Sequence, residues 1–125
     1  MQFDASSPIW LQLVAEFTRR IGVGQWGPGD RLPGVRELAL ELGVNPNTVQ
    51  RALADLDRQG LTRPERTAGR FVSDDAGVID TAREALAAEA ARDYARRAQG
   101  LGMSLSSARE LLGRQWPHSS EGEPR

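Results

Sequence analysis

Pro33-Gly34-Val35-Arg36-Glu37-Leu38-Ala39-Leu40-Glu41-Leu42-Gly43-Val44-Asn45-Pro46-Asn47-Thr48-Val49-Gln50 is the stretch on which the fold turns. Val35, Leu38, Ala39 and Leu42 recur at helical steps, so a short helix from Val35 to Leu42 turns them inward and leaves Arg36 outside. Gly43 then supplies the left-handed backbone that closes a helix and that costs glycine least. Asn45-Pro46 opens the next helix. Asparagine is a strong N-cap, and proline is favoured at the first helical position because its missing N–H would have no helical partner there. This helix runs to about Gln59, buries Val49, Ala52, Leu53 and Leu56, and ends at Gly60. Two helices joined by so tight a glycine-containing turn make a helix-turn-helix.

Upstream, residues 6–24 begin with Ser6-Ser7-Pro8 as a cap and proline start. Ile9, Leu13, Val14, Phe17 and Ile21 then form the apolar side of a first helix, with Arg19 and Arg20 outside. Gly22, Gly24, Gly27 and Gly29, with Pro28 among them, follow a helix and do not lead directly into another, so they read as loop punctuation and not as a nucleotide loop. Downstream, Leu61 to Pro64 and Arg70 to Ser73 are short strands joined by the glycine-containing connection 65–69. A helix-turn-helix followed at once by such a hairpin is a winged helix. A long helix from about Gly77 to Gln99 comes next, striped by Val78, Ala82, Leu86, Ala90, Tyr94 and Ala98. Gly100-Leu101-Gly102 breaks it, and Ser104 caps a last helix whose apolar side is Leu105, Ala108, Leu111, Leu112 and Trp116. The expected protein is mainly α with a small β-hairpin: a winged helix-turn-helix over 1–73, two helices over 74–116, and a disordered tail over 117–125.

The 125 residues carry 16 basic and 17 acidic side chains, for a formal net charge of -1, with no cysteine and one histidine. All 16 basic residues are arginine. Without lysine there is neither a Walker-type phosphate loop nor Schiff-base chemistry. Without cysteine, and with only His118, no zinc site or Cys/His nucleophile pair is expected. An enzyme is therefore the least expected class, and no cofactor or metal is expected. No apolar run approaches the roughly 20 residues of a membrane span, and the N-terminus lacks a basic cluster ahead of an apolar stretch, so a cytoplasmic protein without a membrane partner is expected. The near-zero charge averages over an uneven chain. Residues 58–72 hold four arginines and one glutamate, whereas 73–95 hold two arginines and six acidic residues. A polyanionic partner is thus compatible with the total, provided it meets the first cluster.

On the third helix Asn47, Gln50, Arg51 and Ala54 share one stripe opposite the buried positions. Asn and Gln pair bidentately with adenine, Arg with guanine or phosphate, and a threonine methyl such as that of Thr48 can touch thymine. The small Ala54 lets the helix approach a groove closely. Asn45 is already explained as a cap, and both it and Thr48 sit where a helix N-terminus can equally serve phosphates. Arg36 lies on the helix that crosses the phosphate backbone in helix-turn-helix proteins. Arg66, Thr67 and Arg70 in the hairpin are placed to reach the adjacent minor groove or its phosphates. The partner this pattern expects is double-stranded DNA.

The run from Gly29-Asp30-Arg31-Leu32-Pro33 to Leu38-Ala39, then Leu42-Gly43-Val44-Asn45-Pro46-Asn47-Thr48-Val49, then Ala52-Leu53, Leu56, Gly60 and Phe71-Val72, resembles the winged helix of the GntR transcription regulators. Val-Asn-Pro-Asn-Thr-Val and the short chain resemble its YtrA-like branch. The resemblance covers roughly residues 8–72. It implies a phosphate contact by Arg36 and base or phosphate contacts by Asn45, Asn47, Thr48 and Gln50. Two places depart from the family pattern. The wing ending Gly-x-Gly-Thr-Phe-Val is here Thr67-Ala68-Gly69-Arg70-Phe71-Val72, and the serine after Leu-Pro is Gly34.

YtrA-like members resemble this chain in having two C-terminal helices that pair with those of a second subunit. A long helix with a stripe of this kind also needs a partner surface. Val78, Ala82, Leu86, Ala90, Tyr94, Leu111 and Leu112 are therefore expected to form a homodimer, the alternative being that the helices fold back on their own winged helix. A two-fold dimer would set two recognition helices on a palindromic operator, most simply as a repressor. Trp10, Trp26 and Trp116 are candidates to line a pocket for a small-molecule effector of unknown identity. The rival class is a winged helix that docks a protein through the same stripe, favoured by the low net charge.

Overall fold

The structure is a computed structural model and describes residues 1–118; the tail expected over 117–125 lies, from residue 119 on, outside the described residues. Its elements are α1 (Ile9–Gly22), α2 (Val35–Leu42), α3 (Pro46–Arg58), β1 (Thr62–Glu65), β2 (Gly69–Val72), α4 (Ala76–Gly100) and α5 (Leu105–Gln115). This is a winged helix-turn-helix followed by two C-terminal helices. The chain groups into two compact units, Met1–Leu86 and Ala87–Arg125, with the division inside α4. None of the described helices is long and apolar enough to cross a membrane.

The first unit closes over one core. Leu13, Phe17 and Ile21 of α1 meet Leu38 and Ala39 of α2, Val49, Ala52, Leu53 and Leu56 of α3, and Leu61 and Val72 of the hairpin. Trp26 joins them, its ring tilted against Phe17 at 5.5 Å. Gly43 adopts φ 68°, which lets the Val44 N–H reach back to the Ala39 carbonyl at 3.1 Å and finish α2. Asn45 then accepts a hydrogen bond from the Asn47 N–H at 2.7 Å, so the turn ends and α3 starts within two residues.

Four details differ from the sequence expectation. The first helix begins after Pro8, with no side-chain cap from the serines. Instead the Gln12 amide donates to the Asp4 and Ser7 carbonyls at 2.9 and 2.8 Å, folding the N-terminal residues over the first turn. Arg20, expected outside, is buried. It lies three residues after Phe17 and so falls on the core face, where it is held by Glu16 at 2.8 Å and Glu41 at 2.7 Å and sits 5.2 Å from the Trp26 ring. The strands sit one residue from their expected bounds, pairing Thr62 with Val72 and Glu65 with Gly69. Finally, the glycine-rich segment is more than a loop. Leu32 N–H donates to Arg70 O at 2.8 Å and Val72 N–H to Asp30 O at 2.9 Å, and Arg31 bridges Phe71, so residues 29–32 brace β2.

The start of α4 belongs to the same unit. Ile79 is buried in the core, with Val78 and Ala82 packed half-buried against it. Arg83 donates to the Gly22 carbonyl at 2.8 Å, tying α4 to the end of α1. In the second unit, Ala98 of α4 and Ala108 of α5 are buried, and the Tyr94 hydroxyl donates to the Ala108 carbonyl at 2.7 Å. Ser104 caps α5 by accepting from the Ser107 N–H at 3.1 Å, as expected.

Candidate nucleic-acid interface

The core side of α3 is fully committed, so its remaining faces decide what the helix can touch. Asn47 and Gln50 are exposed, Thr48 and Ala54 are half-buried, and the Asn45 side chain is occupied by its capping bond. Arg51 is exposed as a residue, and its guanidinium lies 4.1 Å from the centre of the Trp10 ring. The electron-rich ring face attracts the cation and restricts its rotamers, so α1 positions a charge on the flank of α3. Sequence reading assigns Trp10 no such part, because only the packing of α1 on α3 brings the two together.

Arg36, the second residue of α2, is exposed. The wing tip is Arg66-Thr67-Ala68, all exposed, with Thr67 at φ 67°. Arg70 has a different task from the groove contact expected of it. Its Nε and Nη2 donate to the two oxygens of Asp57 at 3.1 and 3.0 Å, and its side chain is 15% exposed. Asp57 also accepts from the buried Thr62 hydroxyl at 2.6 Å. One carboxylate near the end of α3 thus grips both strands and sets the wing against the recognition helix. Asp57 was hidden in the sequence among the ordinary polar residues of a helix end.

Ion pairing sorts the arginines of this unit. Arg19, Arg20, Arg58, Arg63, Arg70 and Arg83 each meet a carboxylate, while Arg31, Arg36, Arg51 and Arg66 meet none among the described residues. Three of these four are residues the sequence assigns to DNA. Uncompensated guanidiniums on α2, on α3 and at the wing tip, together with the exposed Asn47 and Gln50 of α3, supply what a duplex requires: cations for phosphates and amides for base edges.

Ion pairs around the buried Arg20 tie α1 to α2. The hydrogen bond from Arg19 holds the Glu16 carboxyl at about 2, well below its ordinary 4.5; burial opposes this, and Arg20 adds to it. Burial also works against the charge on Arg20, but hydrogen bonds to Glu41 and Glu16 outweigh it and raise its pKa. The bridge from α1 to Glu41 fixes α2, and with it Arg36.

Of the predicted dimer residues, Val78 and Ala82 are half-buried on their own core, Leu86 is 41% exposed, and Ala90 is exposed. Tyr94 and Leu111 are half-buried, and Leu112 is 46% exposed. Trp26 lies in the core and Trp10 under Arg51, while Trp116 is exposed at the end of α5.

Residues 11–72 match the sequence profile described as "Bacterial regulatory proteins, gntR family". The chain is 34% identical over 103 residues to the uncharacterized HTH-type transcriptional regulator YhcF of Bacillus subtilis, covering 82% of this chain and 85% of that protein. It is 39% identical over 72 residues to the HTH-type transcriptional repressor YtrA of Bacillus subtilis, covering 58% of this chain and 55% of that protein. Among solved structures, a GntR family transcriptional regulator from Listeria monocytogenes superposes with a TM-score of 0.77 at 30% identity, over 91% of this chain and all of that one, 100%. The AraR DNA-binding domain in complex with operator ORX1 superposes with a TM-score of 0.53 at 30% identity, over 58% of this chain and 92% of that one.

Proposed function

Because the chain belongs to the GntR family of bacterial regulatory proteins and is a DNA-binding transcription regulator, we propose that it works as a cytoplasmic homodimeric repressor on a palindromic operator. The observation that carries this reading is the set of arginines without carboxylate partners on α2, α3 and the wing, beside the exposed amides that α3 carries. In the proposed complex α3 enters the major groove, where Asn47 and Gln50 meet base edges. Arg36, Arg51, Asn45 and Thr48 hold the flanking backbone. Arg66 and Thr67 meet the adjacent minor groove, while Arg70 anchors the wing to Asp57. Residues 1–73 do the binding and 74–116 hold two subunits together. Repression is occlusion of the promoter by the bound dimer, a task that needs no catalytic group. Trp10 and Trp26 are each engaged inside the first unit, which weighs against a tryptophan-lined effector pocket.

The test is selection from a randomised duplex pool, followed by titration at several salt concentrations. An enriched palindrome is expected. Arg36→Ala should weaken binding to every sequence and lower the salt slope by about one phosphate contact per subunit. Gln50→Ala should instead relax preference at one position in each half-site. Binding with no enriched sequence, or no binding at low salt, would favour the protein-docking reading.

A further inference from the structure

Arg31 is the one arginine of the uncompensated set to which neither the motif nor the family pattern assigns a task. Its backbone is fixed: it bridges Phe71, and the next residue donates to Arg70 O at 2.8 Å. Leu32 beside it is 4% exposed, and since side chains alternate along an extended segment, Arg31 projects to the opposite side, where it is exposed. There its guanidinium crosses the wing over Gly69. A Cβ at Gly69 would stand 2.7 Å from Arg31 Nε and 3.3 Å from Nη2, so a side chain there would push the guanidinium off this path. Gly69 also has φ 109°, which glycine accepts most readily. The side chain borders a cleft of about 190 Å³ between the Gly34-Val35 start of α2 and the Pro64 to Arg70 part of the hairpin. The cleft thus adjoins both the start of α2, the helix that carries Arg36, and the hairpin that carries Arg66.

We infer that Arg31 is a further DNA-backbone contact, its guanidinium lying over Gly69 of the wing and gripping a phosphate beside those met by α2 and the wing. The inference rests on the DNA-binding reading above. A guanidinium suits the task, since two of its N–H groups can meet two phosphate oxygens at once. The contact carries no base information. It adds affinity on every sequence and steadies the wing against the duplex.

The experiment measures affinity of the full chain for the selected operator duplex and for a scrambled duplex of equal length, across a salt series. Arg31→Ala is expected to weaken binding to both duplexes by a similar factor, roughly tenfold, and to lower the log–log salt slope by about one counterion per subunit. Arg31→Lys should recover most of the slope and only part of the affinity, because the charge returns without the fork. Arg31→Ala binding like the parent, with the parent's slope, overturns the inference and leaves the regulator reading standing. A change confined to one base position overturns the backbone assignment. Failure of the parent itself to bind any duplex at low salt overturns the regulator reading and this inference with it. Melting of each variant reports on the fold, and loss of folding in Arg31→Lys as well as Arg31→Ala would make Arg31 a structural residue and overturn the assignment.

Discussion

At the scale of single residues, Thr67 shows how this chain departs from its family without losing the family's turn. The wing of the resemblance carries glycine where Thr67 stands, and Thr67 sits at φ 67°, a left-handed conformation that a β-branched residue adopts only under strain. The hairpin register from Thr62–Val72 to Glu65–Gly69 holds it there, since the three tip residues must close the strands. Thr67→Gly should therefore relieve strain of roughly 1–2 kcal/mol, less the greater freedom glycine gains when unfolded, and stabilise the protein by about 1 kcal/mol. Thermal unfolding checks it; a variant melting at or below the parent temperature would show that the turn is not strained. The missing glycine is plain in the sequence. That the backbone keeps glycine's conformation anyway depends on pairing across the hairpin, which no local pattern records.

At the scale of elements, the helices were legible because each is punctuated by residues with one physical use. Gly43, Asn45-Pro46 and Ser104 close, open and cap where the sequence places them, and the buried set of α3 is the periodic set. The links between elements were not legible. Asp57 gripping Arg70, Arg20 reaching Glu41, and residues 29–32 bracing β2 all join positions distant in the chain, and their residue types suit a solvated surface equally well. The candidate site divides the same way: Asn47, Gln50 and Arg36 follow from helix period, whereas Arg51 on Trp10 and Arg70 on Asp57 do not. The ion pairs of Glu16 within α1 make a pH prediction. Glu16 has its folded pKa depressed to about 2 from 4.5, so its contribution is fully present above about pH 4.5 and is lost as pH falls through about 2. Because Arg19 is exposed and solvent screens the pair, that contribution is at most about 1 kcal/mol. Glu16→Gln should accordingly be less stable than the parent by that amount near pH 6, and the gap should close toward pH 2. Denaturant unfolding of both proteins across this range measures it, and a gap that stays constant with pH would contradict the assignment.

At the scale of the whole molecule, the question is what the apolar residues of α5 face. The helix turns Ala108 fully and Leu111 partly inward within its own unit, while Leu105, Leu112 and Trp116 stay 68%, 46% and 62% exposed. Those three lie seven and four residues apart, so they form one stripe along α5. A stripe of two leucines and a tryptophan left in water is costly, and burial of such side chains stabilises by about 1.5–3 kcal/mol each. In the homodimer proposed above, a second copy of the chain would cover this stripe, because a two-fold axis brings the same patch to itself. Leu112 is the residue to change: it lies mid-stripe and is already half exposed, so a charge there should spare the subunit's own packing. Leu112→Glu should move the protein toward monomer in sedimentation at micromolar concentration while leaving helix content unchanged. Operator affinity should then fall steeply and half-site affinity hardly at all, since each winged helix keeps its own reading face while losing its tethered twin. A Leu112→Glu protein that stays dimeric and keeps its operator affinity would remove α5 from the subunit contact and leave Leu86 and Ala90 of α4 to carry it.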